Sequence, residues 1–133
     1  MTNLAETSRK GEIWYVRFDP TTGSEYEKTR PAVVINESFV GRTEMRIVVP
    51  ITEAKPEHGR WPWMIFLRCT SGNGLSKDSS ADSSQVKSIS VERFDRRIGN
   101  VTGSQLRRIL SAVILCIGYE CPICKAKEKE EAE

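Results

Sequence analysis

Glu12-Ile-Trp-Tyr-Val-Arg-Phe18 is the stretch on which the fold turns. It is dense in aromatic and β-branched side chains, and Gly11 and Pro20 punctuate its two sides, so it is predicted to run as a β-strand. Working outward, Asp19 to Arg30 contains Pro20, Gly23 and many polar side chains without a helical apolar period, and reads as a long exposed loop. Pro31 to Asn36 carries Ala-Val-Val-Ile in its middle, a continuous apolar run suited to a strand covered on both faces. Met45 to Ile51 is a second run of the same kind.

Beyond it, Glu53 to Arg60 reads as a polar loop and Trp63 to Leu67 as a strand. Gly72-Asn73-Gly74 then supplies residues that tolerate positive φ, which predicts a tight hairpin reversal. The return strand, about Ser79 to Ile89, is weakly patterned, because Ser80, Asp82, Ser83 and Ser84 stand where apolar residues should alternate. An edge position or the wall of a wet cleft accounts for that. Ile98 to Val101 is the last predicted strand, and Thr102-Gly-Ser-Gln105 fits a capping box that satisfies free amides at a helix start. Leu106, Ile109, Leu110, Val113, Ile114 and Ile117 recur at helical spacing, with Gly118 as the stop. The fold class expected is mainly β with a C-terminal helix: a small, curved antiparallel sheet or partly open barrel, covered on one side by that helix.

At 133 residues the chain has the size of one domain. Met1 to Lys10 is polar, has no apolar core to act as a secretory signal, and is expected to be a flexible lead; residues 11–118 form the domain, and 119–133 a cysteine-containing, charged and disordered tail. The longest apolar run, Ile109 to Gly118, falls far short of the roughly 20 residues that cross a bilayer, so a soluble, cytoplasmic protein is expected. Net charge is only +2, with three lysines and four glutamates in the tail, so a phosphate ligand is permitted but not demanded. Cys69, Cys116, Cys121 and Cys124 are expected to be reduced thiols. Three of them lie near the helix end, but a structural zinc site needs four ligands, so zinc would require a second subunit.

Gly11-Glu-Ile-Trp-Tyr-Val with Asp19-Pro20, Gly23-Ser-Glu25 through Lys28-Thr-Arg30-Pro31 into Ala-Val-Val-Ile, and Val48-Val-Pro-Ile-Thr52 stand in an order and spacing that resemble the MazF/PemK toxin family. Weaker likeness continues through Gly74-Leu-Ser-Lys-Asp-Ser79, Gln85-Val-Lys-Ser-Ile and Arg97-Ile-Gly, so the resemblance covers roughly Gly11 to Gly118. It implies a CcdB/MazF-like, SH3-like barrel and a homodimer. It also implies a type II toxin that cleaves single-stranded RNA sequence-selectively, without metal or other cofactor, and is opposed by an antitoxin protein. The neighbouring 2′-hydroxyl is then the nucleophile, and the products are a cyclic phosphate and a 5′-hydroxyl end.

The same resemblance assigns the catalytic pair to Arg30 and Thr52. Arg30 offers a planar, permanently charged donor fork for a phosphate whose negative charge grows in the transition state. A guanidinium keeps its charge in proteins, which suits it poorly to shuttling protons. Thr52 would add a hydroxyl donor, although a threonine on a strand is also an ordinary structural residue. Glu25 would orient Arg30 or meet a base, and Ser79, Gln85 and Lys87 would contact RNA. Some relatives carry an acid just before the glutamine and an arginine two residues earlier, where this chain has Ser84 and Asp82. Asp82, two residues along the same strand, would share a face with Ser84 and is the candidate acid.

Two rivals remain. A CcdB-like gyrase poison shares the fold but uses a tryptophan-glycine-isoleucine C-terminus, whereas this chain ends in lysines and glutamates. A noncatalytic RNA-binding or antitoxin-binding barrel would explain the altered Ser79 to Gln85 stretch. His58, the only histidine, is expected at the surface. Of Trp61 and Trp63, one is expected in the core, while the other is left either to the core or to stacking on unpaired bases.

Overall fold

The computed structural model describes residues 4–20, 22–26, 28–38, 40 and 44–120. Its hub is strand β3 (Met45–Glu53). Along one edge, the first half of β3 pairs with β6 (Lys87–Ser90) and the second half with β5 (Ser79–Asp82); along the other edge it pairs with β2 (Thr29–Val34), all antiparallel. β1 (Glu12–Arg17) joins β2 to β7 (Phe94–Asn100), and β4 (Met64–Leu67) joins β5, giving the order β4-β5-β3-β2-β1-β7. Helix α1 (Gly103–Ile117) follows. The expected class, an antiparallel sheet with a C-terminal helix, is the one found.

Because side chains alternate across a strand, the apolar runs feed two cores. Ile13, Val33, Val49 and Ile51 pack on one face with Ile65, Leu67, Leu75 and the helix residues Ile109 and Ala112. Trp14, Val16, Ala32, Val34 and Val48 pack on the other with Phe18, Ile89, Val91 and Phe94. Covering both faces explains why β2 and β3 read as unbroken apolar runs rather than as alternation.

Several boundaries differ from the sequence-based expectation. The single strand expected over Ser79 to Ile89 is two strands separated by a 3-10 turn, Ser83–Gln85. Asp82 caps that turn by accepting from the Ser84 amide, and the break lets the chain follow β3 in two registers. β5 is no edge: it lies between β4 and β3, with Ser79, Ser80, Ala81 and Asp82 all buried. β7 starts at Phe94 rather than Ile98, its first part hidden in the sequence by the exposed Asp95-Arg96-Arg97. The polar loop expected over Glu53 to Arg60 contains a 3-10 turn, Pro56–Arg60.

Part of the N-terminal lead and the buried face of the helix also depart from expectation. In place of a flexible lead, Leu4–Thr7 forms a 3-10 turn with Ala5 in the second core. Buried Arg46 holds it, donating from Nη2 to the Glu6 carbonyl at 2.6 Å and from Nε to Ser8 Oγ at 3.0 Å. The Thr102–Gln105 capping box and the left-handed Gly118 cap bound α1 as predicted. Its buried stripe, however, centres on Ile109 and Ala112, leaving Ile114, Leu115 and Ile117 exposed. The helix packs on β4 and the Ser83–Gln85 turn, and small Ala112 permits the close approach. The charged end, with Cys121 and Cys124, lies outside the described residues.

The β4–β5 hairpin forms, but its reversal is not tight: Leu67 pairs with Ser79 across a loop organised by buried Asn73. Asn73 Oδ1 accepts from the Thr70 and Leu75 amides, each at 3.0 Å, and its Nδ2 donates to the Arg68 carbonyl at 2.7 Å. This loop reaches β7, where the Asn100 amide donates to the Gly72 carbonyl at 3.0 Å. Gly74 sits there at φ 69°, and a Cβ on it would collide with the Ile98 carbonyl. Gly74→Ala should therefore destabilise the protein by about 1–3 kcal/mol in urea denaturation. Gly23→Ala is the control, because Gly23 also has positive φ (60°) but nothing near its Cβ position. Equal losses in the two variants would mean that the loop is not packed against β7.

Candidate active site

Strand register builds the site. Ala32 lies opposite Pro50, so two residues further along Arg30 comes opposite Thr52, and Thr52 in turn pairs with Ser80. Directly opposed residues share a face of the sheet, which makes Arg30, Thr52 and Ser80 one row across three strands. Arg30 Nη1 donates to Thr52 Oγ1 at 3.5 Å, a long contact that a phosphate oxygen entering between them could replace. Both residues border a cleft of about 250 Å³ whose lining also includes Tyr15, Leu75, Lys77 and Ser79.

Behind Arg30 stands a residue that sequence reasoning missed. The Arg30 guanidinium carbon lies 5.2 Å from the centroid of the Tyr26 ring, within cation–π range. The Tyr26 hydroxyl donates to Asp82 Oδ2 at 2.9 Å. Burial, and then the hydrogen bond to Asp82 and that residue's charge, push the Tyr26 phenol well above its usual value, against the opposing pull of Arg30. The phenol therefore stays protonated and holds its donor role. Its only signal in the sequence was an aromatic side chain within a polar loop.

Asp82 shares the face of Thr52 and Ser80, but Ser84, whose face it was expected to share along one strand, lies in the Ser83–Gln85 turn, and the Asp82 carboxylate is buried and engaged. Besides Tyr26, it accepts from the Ser84 amide at 3.1 Å and the Ser84 hydroxyl at 2.5 Å. It reaches Arg30 through Tyr26. Gln85 secures the same loop, accepting from the Tyr26 amide and donating to the Ser24 carbonyl, each at 3.1 Å. Lys87 Nζ lies 3.4 Å from Glu25 Oε2 and 5.8 Å from the centroid of the Phe18 ring. Glu25 thus meets Lys87. Ser79 is buried, with its hydroxyl donating to the Lys77 carbonyl at 2.8 Å, and borders the cleft.

His58 is not a surface residue. It is buried, its Nδ1 accepting from the Lys55 amide at 3.2 Å and lying 2.9 Å from Ser80 Oγ. Neither Trp61 nor Trp63 belongs to the core: their rings stack on each other with centroids 5.8 Å apart, inclined by 8°. Cys69 and Cys116 are exposed free thiols. Among the described residues, no three His, Cys, Asp or Glu side chains converge as a metal site.

Residues 9–117 match the family model for PemK-like, MazF-like toxins of type II toxin-antitoxin systems. The chain belongs to the PemK/MazF toxin family. Its relatives include Endoribonuclease MazF9 of Mycobacterium tuberculosis, 36% identical over 113 residues that cover 80% of this chain and 93% of the relative. Endoribonuclease toxin MazF of Escherichia coli is 33% identical over 110 residues, covering 81% of this chain and 92% of that one. Among solved structures, MazF from Deinococcus radiodurans superposes with a TM-score of 0.71 at 18% identity, covering 84% of this chain and 97% of that one. A MazE-MazF structure from the same organism gives 0.65 at 18% identity, with 85% and 97% covered. These likenesses place the sheet and its terminal helix in the PemK/MazF fold.

The Tyr26–Asp82 bond has a measurable signature. Tyr26→Phe keeps the ring beneath Arg30 but removes the donor to a buried carboxylate, and should cost about 1–3 kcal/mol of stability at neutral pH. Because folding raises the phenol's pKa, the stabilisation is complete below the ordinary phenol value of about 10 and is lost as pH rises through the folded value. The stability gap between wild type and variant should therefore narrow in strongly alkaline buffer. A pH-independent gap in thermal denaturation would rule out the phenol as its source.

Proposed function

We propose that this chain is the toxin of a type II toxin-antitoxin system, and that it is a sequence-selective endoribonuclease cutting single-stranded RNA without a metal ion. The observation that carries this reading is the Arg30–Thr52 pair bordering an open cleft. A scissile phosphate lying between the two would meet a bidentate cationic fork and a neutral hydroxyl donor. As the neighbouring 2′-hydroxyl attacks, charge accumulates on the non-bridging oxygens, and fixed donors aimed at that charge lower the barrier. The 2′-oxygen–phosphorus bond forms as the bond from phosphorus to the 5′-oxygen breaks; the 2′-hydroxyl gives its proton to solvent water and the departing 5′-oxygen takes one from water, leaving a cyclic phosphate and a 5′-hydroxyl end.

In this mechanism the Tyr26 ring fixes the plane of the Arg30 fork, and Asp82 holds the Tyr26 hydroxyl. Asp82 is accordingly a positioning residue: its buried carboxylate, which already accepts three hydrogen bonds, is badly placed to take the nucleophile's proton. Gln85, Lys87 and Glu25 hold or extend the loop over the strand, with Lys87 available to a neighbouring phosphate when RNA displaces Glu25. Ser79 stands at the cleft wall as a further RNA contact.

We assign two protein partners. An antitoxin would occupy the RNA cleft, in keeping with the MazE-MazF assemblies among the structural neighbours. A second copy of the chain would cover Ile114, Leu115 and Ile117, which one copy leaves exposed. No helix of the described residues is long and apolar enough to cross a membrane, and the cytoplasm, where the RNA substrate resides, is the proposed location.

The test is incubation of the purified protein with long single-stranded RNA in chelator. Discrete cuts ending in cyclic phosphate are expected. Arg30→Ala should slow them by about 10²–10³-fold with the circular dichroism spectrum retained. Undiminished cutting by that variant, or intact RNA after incubation with wild type, would sink the assignment.

A further inference from the structure

We propose that the Trp61–Trp63 stack is a nucleobase subsite, taking an unpaired base of the same strand whose phosphate sits at Arg30; the proposal rests on the ribonuclease reading above. The two indoles are nearly parallel, with centroids 5.8 Å apart, and Trp61 remains 38% exposed. At that exposure Trp61 keeps part of its ring open to a ligand, and a base stacked on it would bury apolar surface that the fold leaves in water. Both rings already lie in the offset arrangement on which a further flat π-system stacks.

The stack is coupled to the catalytic row. The His58 ring lies 5.7 Å from that of Trp61, and His58 Nδ1 is 2.9 Å from Ser80 Oγ. Ser80 is the direct cross-strand partner of Thr52. On its other side Ser80 pairs with Phe66, which is 51% exposed and continues the row toward the sheet edge. Strands lie about 4.8 Å apart, so Ser80 lies roughly 10 Å from the strand of Arg30, within reach of a nucleotide near the scissile phosphate. Lys55 and Arg60, both exposed, bracket the Pro56–Arg60 turn and supply cations for the backbone passing over it.

The pocket between α1 and β4, lined by Pro62, Ile65, Arg107, Arg108 and Leu115, adjoins the stack at Pro62 and extends from there along the helix side. Stacking recognises a ring face rather than a base edge, so the subsite should add affinity with little base preference. Its contribution belongs to substrate binding, since the indoles stand away from the Arg30–Thr52 pair.

Tryptophan fluorescence reads the contact directly, with buried Trp14 as a constant background. The probe is single-stranded RNA carrying 2′-O-methyl groups, which removes the nucleophile and leaves the strand uncut. Wild type should be quenched on titration. Trp61→Ala should raise Kd by about 5-fold to 100-fold, and raise KM on cleavable RNA by a similar factor with kcat largely kept. Trp61→Phe, which retains an aromatic face, should recover most of the loss. If Trp61→Ala binds and cuts like wild type, the subsite is refuted while the nuclease stands. If wild type cuts nothing but its quenching disappears in Trp61→Ala, the subsite stands and the nuclease reading fails.

Discussion

Strand β3 and its three antiparallel partners are the constraint on which this protein depends. Once Ala32 faces Pro50 and Ile51 faces Ala81, no freedom remains in where Arg30, Thr52 and Ser80 stand. A slip of one residue in the first pairing would send the Arg30 guanidinium and the Thr52 hydroxyl to opposite faces of the sheet, and a slip in the second would turn Ser80 away from both. Register is protected because both faces of β2 and β3 are buried in apolar cores, so any slip would place Val33, Val49 or their neighbours against the wrong core. The hydrophobic pattern that folds the sheet therefore also sets the chemistry of its cleft.

The polar residues of β5 and the turn after it complete that arrangement. Ser80 meets His58, while Asp82 receives Tyr26 and Ser84. A buried carboxylate is costly unless its oxygens are hydrogen-bonded, and here the groups that satisfy it are the ones that fix the loop behind Arg30. The serine-rich composition that read as a weakly patterned strand is a polar layer, with the Ser83–Gln85 turn as its bend.

Much of this was legible in the residues. The apolar runs announced β2 and β3, the aromatic run announced β1, and Thr102, Gln105 and Gly118 marked both ends of the helix. These signals are local: propensity, burial on both faces, and caps made within one turn. What escaped was decided by distant partners. The start of β7 is a charged segment made strand by pairing with β1, and the break between β5 and β6 follows from how each lies along β3. Within the site, Arg30 and Thr52 stood out through motif likeness, whereas Asp82 was reached by an alternation with Ser84 that the Ser83–Gln85 turn interrupts. Tyr26 and His58 did not, because their meaning lies in contacts with Asp82 and Ser80, remote in the chain.

The loop between β4 and β5 belongs to one end of the sheet, yet Gly72 binds the amide of Asn100 on β7, at the other end. Leu75 from the same loop is buried with Val101 and Ile109. The two borders of the sheet are thus fastened to each other, and neither can fray without disturbing its opposite. Slow amide exchange should accordingly extend to both margins instead of decaying outward from β3, as it would in a sheet whose edges open independently.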